Sequence, residues 1–459
     1  MKSVKELDVF NLKNAQPQKK RVDVIGAGIS GLASAYFLAE SSTRLEIHLW
    51  ERDSTLGGLA GSFSTEYFTV EKFYHHLYRR DIALTALIEQ LGLGNDLEWR
   101  AASTGAYYQQ RPYRLSSPLD LLKYKPLDFL DRLRLGWLMV HVRRCKDWHQ
   151  LDDIPVREYV TDIAGEAVYK IVWEPLFRGK FGQYADSISA AWLWSKLVDR
   201  GGSRNIGGQE VLGYLRGGLG RVFDAMVHCI RNRGHNVHMG CGVKKLECNG
   251  DGKIRTIVTD NGTYETDFVL SGLQVPDLAD ILPDAFAPYR RSLRQINFLG
   301  TICLVLTLNR PLSEFYWTNV TDPSFPFVAI IEQTKWADRE DFSGKHVAYI
   351  SAYVASDDPR TDMDTDTLVS FYLPYLQRIF PDFSRAHIVS QASWRARYTQ
   401  PIVQVGYRHL IPEIDAPIDN LFVCTMAQIY PHDRQVSNGV EMAKKTVDLF
   451  LRKFNNAAG

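Results

Sequence analysis

One run near the start of the chain narrows its possible folds more than any other. Val22-Asp23-Val24-Ile25 reads as a short buried strand that runs directly into Gly26-Ala27-Gly28-Ile29-Ser30-Gly31. Leu32 to Glu40 follows as a helix, and Leu45 to Trp50 as a second strand ending at Glu51. Strand, G-x-G-x-x-G, helix, strand and acid within about 30 residues form the dinucleotide-binding fingerprint. Gly26 permits the tight turn, Gly28 admits a pyrophosphate close to the backbone, and Gly31 lets the helix pack on the strand. Ile29 and Ser30 lead into the helix, whose free N–H groups and partial positive charge suit phosphate. Glu51 and its neighbour Arg52 stand where ribose hydroxyls are held. Alone, the glycine hexapeptide is also read as an unliganded turn; both strands, the helix and the acid together favour a nucleotide.

Composition limits the rest. With 459 residues the chain has room for two or three domains. A formal net charge of +1 gives no bulk reason to expect nucleic acid. Six cysteines (145, 229, 241, 248, 303 and 424) include no C-x-x-C pair, which argues against a disulfide framework or a metal site and for a reducing, cytoplasmic setting. Residues 1–20 are polar and end at Gln18-Lys19-Lys20, so a surface tail is expected rather than a signal peptide. No run of about 18 apolar residues occurs, so no transmembrane segment is expected.

The residues after Glu51 point to the cofactor. Glu51-Arg52-Asp53-Ser54-Thr55-Leu56-Gly57-Gly58-Leu59 carries a glycine doublet six residues after the acid. Here the sequence resembles the flavoprotein amine oxidase/protoporphyrinogen oxidase superfamily, whose members continue from the ribose acid into a Gly-Gly loop beside the flavin. The resemblance implies FAD, contacted by Gly57, Gly58 and Leu59. A glycine-led helix over Val222 to Arg233 and a hairpin, Lys253 to Thr259 with Tyr264 to Leu270 around Asn261-Gly262, agree with it. Similarity to the family's adenosine-covering sheet places the Val243 backbone at the adenine. In the C-terminal piece the family's Gly-Asp pair is replaced by Cys424-Thr425-Met426, and the nearby acid is Asp433. The resemblance thus implies flavin contacts at Met426, Asp433 and Val440, where a last helix starts.

The fold implied is α/β: a Rossmann-type, glutathione-reductase-like FAD-binding domain with an α+β substrate domain formed by insertions. Residues 21–75, 210–275 and 395–455 are expected in the FAD-binding domain, and 80–205 with 280–390 in the substrate domain. Phe298 to Leu308 and Phe325 to Glu332 read as strands of the latter. Pro126 to Arg144 reads as a helix with Leu, Trp and Met interleaved with Arg, a core-facing helix with a solvated basic side. Its alternative is peripheral membrane contact.

Three segments supply candidate reaction groups. Tyr74-His75-His76-Leu77-Tyr78 follows the flavin loop; if it is a strand, adjacent histidines face opposite sides and only one meets a given pocket. His76-Leu77-Tyr78 resembles a His-Ile-Phe segment of UDP-galactopyranose mutases, where the histidine lies beside the flavin. Trp173-Glu174-Pro175-Leu176-Phe177-Arg178-Gly179-Lys180 resembles a W-x-P segment of protoporphyrinogen oxidase-like proteins, and Arg178 and Lys180 suit an anionic substrate. Trp394-Arg395-Ala396-Arg397-Tyr398 is similar to a family stretch before the last strand. His76, Arg397 and Tyr398 are therefore the candidate catalytic groups, and Tyr74, Trp173, Arg178 and Arg395 the candidate substrate contacts. Monoamine-type oxidases carry a lysine on the strand matching Gly300 to Leu304, and none lies between 299 and 308 here.

The resemblance implies an FAD-dependent oxidoreductase that removes hydride from a C–N or C–C bond of a small to medium organic molecule. A flavin-dependent mutase acting on a sugar nucleotide is the alternative, with arginines clamping its pyrophosphate. Covalent attachment of the flavin would call for a cysteine, and Cys424 lies in that general region. Oligomeric state has no signal in the sequence.

Overall fold

In the computed structural model, which describes residues 19–205 and 208–457, two sheets organise the chain. The expected tail falls outside these residues except for 19 and 20, and Lys20 already begins the first strand. That strand, Lys20–Ile25, lies at the centre of a five-stranded parallel sheet, flanked by Leu45–Trp50 and Asn236–His238 on one side and by Phe268–Ser271 and Leu421–Val423 on the other. Val22, Val24, Leu45, Ile47 and Leu49 are fully buried, as strands covered on both faces require. The helices Ile29–Ser41, Gly220–Asn232 and Val436–Ala457 supply much of that cover.

The hairpin differs from its sequence-based expectation. Ile254–Thr259 pairs with Gly262–Glu265 around the Asn-Gly turn, but the second run stops there. Phe268–Ser271 instead joins the parallel sheet beside Lys20–Ile25. Asp267 marks the change, its carboxylate accepting from Arg21 N–H and Lys20 Nζ at 2.9 Å each. Pairing with the central strand keeps Val269 and Leu270 buried, which a longer hairpin would not do.

The second sheet has seven strands in the order Ile388–Pro401, Phe298–Leu308, His346–Val354, Ala329–Glu332, Trp317–Val320, Thr104–Tyr108 and Arg111–Arg114. Its pairs are antiparallel except Trp317–Val320 beside Thr104–Tyr108. Ile388–Pro401 is one continuous strand, so residues 395–401 run with this sheet rather than with the parallel one. Helices between Pro118 and Gly201 form a cap packed around Leu135, Leu138, Val160, Phe177 and Leu193, in one core with Ile25, Val269 and Val423 of the parallel sheet. No helix among the described residues is long and apolar enough to cross a membrane.

This arrangement positions the site. Three parallel strands end side by side at Ile25, Ser271 and Val423, and each runs into a loop at its carboxyl end. Ligands of open parallel sheets gather at such edges.

Candidate active site

The first wall is made of backbone. Gly28 caps the helix Ile29–Ser41 without a side-chain cap bond, leaving the first-turn amides for a ligand. A Cβ at Gly31 would stand 2.0 Å from the Gly26 carbonyl oxygen, whereas one at Gly28 meets nothing within 4 Å. Gly31 therefore serves helix-on-strand packing, and Gly28 faces open space. The Gly-Gly loop abuts this turn: Gly57 N–H donates to the Ala27 carbonyl at 2.9 Å, and a Cβ at Gly58 would lie 3.2 Å from Gly28 Cα. Gly57 adopts φ 93°, in the region that favours glycine. Glu51 accepts from the Ala27 and Asp53 amides at 2.6 and 2.9 Å. Burial raises its pKa against the pull of these bonds.

Beyond the turn lies a cavity of about 350 Å³. Gly28, Ile29, Ser30, Gly57 and Leu59 line one end, joined by Gly272, Met426 and Val436. Elsewhere its wall carries His75, His76, Lys180, Lys196, Arg200, Tyr353, Asp433 and Arg434, with Tyr74, Trp173, Trp192 and Trp317 among its aromatic groups. Asp433 anchors the cationic part: Lys180 Nζ donates to its two oxygens at 3.0 and 2.9 Å, and Lys196 Nζ to one of them at 2.5 Å. Burial alone would raise the Asp433 pKa, but Lys180, Lys196 and Arg434 outweigh it and hold the carboxyl well below its ordinary range. Arg434 donates to Gln400 at 3.0 Å and to the Tyr353 hydroxyl at 3.1 Å. Burial pushes the Tyr353 phenol up, yet Lys180 and Arg434 together bring its pKa below the usual value. Arg200 stands 3.6 Å from Glu210.

Four cations on this wall thus meet two carboxylates, Asp433 and Glu210. Buried charge requires a counter-charge, and unpartnered polar atoms point to where one fits. Trp173 Nε1, Trp192 Nε1, Thr301 Oγ1 and Ser351 Oγ are buried with no hydrogen-bond partner among the described residues, and all four residues line the cavity. A wall of open donors beside a capless helix start and a glycine-lined end fits a dinucleotide with a large planar ring.

The candidates from sequence separate into groups. Gly28, Ile29, Ser30, Gly57, Gly58's neighbour Leu59, Met426 and Asp433 come together with Tyr74, His76 and Trp173 around the cavity. Gly26, Gly31, Glu51 and Arg52 sit behind the turn, and Gly58 contacts it from the second loop. Val243 begins the strand Val243–Cys248, and Val440 is buried within the last helix; neither lines the cavity.

Several expectations need correction. His75 and His76 do not lie on a strand, because Thr69–Glu71 ends before them. In the irregular segment that follows, strand alternation does not operate, and both rings line the same cavity. Burial drives their pKa values down to about 4 and about 3 respectively; the nearby Arg200 and Lys196 add to the effect at His76. Both rings are therefore neutral, and His76 Nδ1 is 3.0 Å from the Tyr316 hydroxyl. Arg178 faces outward, ion-paired to Glu174 at 2.9 Å and Asp186 at 3.2 Å. Arg395 is held by Ser393 and the Met363 carbonyl. The Arg397 guanidinium lies over the Tyr398 ring, which packs on Phe298. None of these four lines the cavity, although Thr399, one residue on, does. Cys424 is fully buried with its thiol pushed up to about 11, also off the cavity wall.

Lys196, Arg200, Tyr353, Arg434, Gly272 and Gln274 are cavity residues that sequence reasoning passed over. One signal was available: Trp192, Lys196 and Arg200 repeat every four residues on the helix Ala190–Gly201 and so share a face. Arg434 adjoins the candidate Asp433 in the Tyr430 to Arg434 run, a position that by itself assigns it no role, and Tyr353 had no signal, for its neighbours in space are remote in sequence.

The model of the family described as flavin containing amine oxidoreductase matches residues 29–436. A coproporphyrinogen III oxidase of Mycobacterium tuberculosis (strain H37Rv) is 26% identical over 76% of this chain and 82% of its own length. One from Staphylococcus aureus is 27% identical, but over 37% of this chain, and the match spans only 38% of that relative. Among solved structures, a protein from Exiguobacterium sp. 255-15 assigned as a protoporphyrinogen oxidase superposes with a TM-score of 0.76 at 19% identity, covering 95% of this chain and 99% of its own. Reduced UDP-galactopyranose mutase superposes with a TM-score of 0.72 at 15% identity, covering 95% and 96%. At these identities the structural likenesses speak for the fold, a mixed α/β architecture.

Proposed function

This chain belongs to the flavin-containing amine oxidoreductase family and is an FAD-dependent oxidoreductase, and from that premise we propose that its substrate is an organic molecule bearing an anionic group. The parallel sheet is read as a Rossmann-type, glutathione-reductase-like FAD domain, and the seven-stranded sheet with its helical cap as the substrate domain. Gly28, Ser30, Gly57 and Leu59 would hold the cofactor at the glycine turns, with Glu51 behind them on the ribose side and Met426 and Val436 toward the ring. When bound, FAD supplies the hydride acceptor for oxidation of a C–N or C–C bond.

The observation that carries the substrate class is the excess of cations on the cavity wall. Lys180, Lys196, Arg200 and Arg434 face two carboxylates. A cationic amine would be repelled there, whereas a carboxylate or phosphate would complete the charge balance. Asp433 holds the two ammonium groups together, and Trp173, Trp192 and Trp317 offer apolar faces to the rest of the molecule. Neutral His76, fixed by Tyr316, can orient a donor without adding charge. The relatives named as coproporphyrinogen III oxidases suggest a first compound to try, since a porphyrinogen combines carboxylates with oxidisable C–H bonds. The mutase alternative draws less support: the family is one of oxidoreductases, and Arg178, Arg395 and Arg397, the candidate pyrophosphate clamps, lie off the cavity.

The test is an absorption spectrum of the purified protein, followed by anaerobic titration with coproporphyrinogen III, smaller carboxylates and phosphates, and simple amines. Flavin bands bleached by an anionic donor support the reading. Bleaching by amines alone would exclude the anionic class, and activity appearing only after chemical reduction, without net oxidation, would favour the mutase.

A further inference from the structure

The helix Phe129–Val142 carries an apolar face that the fold leaves uncovered. Leu135, Leu138 and Val142 are buried in the cap core. At about 100° per residue, Phe129, Leu130, Leu133, Trp137 and Val140 share one arc on the opposite side. All five are exposed, Phe129 and Leu130 by 63% and 62%. Leu119 and Leu122, on the adjoining segment, are also exposed. These seven account for most of the ten large apolar side chains exposed among the described residues. Isolated exposed leucines are ordinary, but a contiguous apolar strip on a soluble surface marks a contact site.

The charge around the strip identifies what it contacts. Residues 119–146 hold seven Lys/Arg against three Asp, in a chain whose overall formal charge is +1. Lys123, Lys125, Arg134, Arg143, Arg144 and Lys146 are exposed. By the same helical angles Arg132 and Arg143 flank one edge of the apolar arc and Arg134 the other. Arg144 lies over the Trp137 ring at 5.0 Å, so an aromatic plane and a guanidinium reach the surface together. An apolar ridge bordered by cations, with tryptophan near its centre, is the composition of a helix lying in a lipid headgroup layer. A second copy of the chain would bring the same positive border and repel it.

We infer that this face docks on an anionic membrane surface, the apolar ridge entering the acyl boundary and the basic border meeting lipid phosphates. Nothing in this rests on the reading of the cavity. The test uses the full-length, FAD-loaded protein and sedimentation with vesicles of phosphatidylcholine, with or without phosphatidylglycerol. Binding is expected on the phosphatidylglycerol vesicles at low salt, weakened about tenfold or more at high salt. The double variant Leu130→Ser/Leu133→Ser should lose it about tenfold or more while keeping the flavin spectrum. Lys123→Gln/Lys125→Gln should reduce the preference for anionic vesicles without altering that spectrum. Absence of binding at low salt, or equal binding by the leucine variant, would overturn the inference. So would a concentration-dependent dimer, abolished by Leu130→Ser/Leu133→Ser, in a protein that binds no vesicle.

Discussion

The glycine turn and the cationic wall face the same cavity but are built in opposite ways. At the turn the work falls to backbone: two glycine loops within about 30 residues touch through a main-chain hydrogen bond, and side chains are kept out of the way. At the wall it falls to side chains drawn from residues 76, 180, 196, 200, 353 and 433. A backbone site is specified by local conformation, so its tolerance for change is set by space. A charged side-chain site is specified by its neighbours, so its tolerance is set by charge balance.

Removing the anchor of the wall should have the largest effect. Asp433→Ala leaves Lys180 and Lys196 buried without their shared carboxylate, and a loss on the order of 3–5 kcal/mol is expected. Chemical denaturation would read it, and a loss under about 1 kcal/mol would show that water or other groups already solvate the lysines.

Next come two substitutions within the turn. Gly31→Ala drives a Cβ to 2.0 Å from the Gly26 carbonyl, so a cost toward the upper end of about 1–3 kcal/mol is expected along with loss of flavin. Gly28→Ala meets no atom within 4 Å; its stability should hold while bound flavin falls, as read from the visible absorbance of the purified protein. Equal behaviour of the two would break the division between packing glycine and ligand-facing glycine.

A third prediction concerns pH. His76 has a folded pKa near 3 against an ordinary 6.5, so the unfolded chain binds the extra proton between these values. Stability from this group is therefore present above pH 6.5 and lost as pH falls, by about 1.4 kcal/mol per unit. Asp81, raised to about 7 by burial, contributes the opposite slope, so the histidine is read as a difference: His76→Asn should flatten the dependence between pH 6.5 and 4 relative to the parent. An unchanged slope would mean that His76 is already solvated. The smallest effect belongs to Arg178→Ala, which removes exposed ion pairs off the cavity. It should cost below about 1 kcal/mol and leave substrate affinity unchanged; a marked rise in KM would return Arg178 to the site.

Legibility followed the same division. The turn, Glu51 and the Gly-Gly loop could be read because spacing along the chain is itself the geometry. The hairpin was read too long, because periodicity cannot say that Phe268–Ser271 finds a better partner in Lys20–Ile25. His75 was set aside on a strand rule that failed where the strand ended. Arg178 and Arg395 looked free in sequence, but a partner four residues away and a loop carbonyl at Met363 engage them. Lys196 and Arg200 were overlooked although their four-residue spacing was visible, since nothing in that spacing says which way the helix face turns.

By itself the sequence determined the parallel βα unit, its glycine turns and the kind of cofactor they admit, because main-chain conformation depends on residues close in the chain. Only the tertiary structure decided which charges share the cavity and which apolar helix face stays outside, because both depend on packing between segments that are not neighbours along the chain.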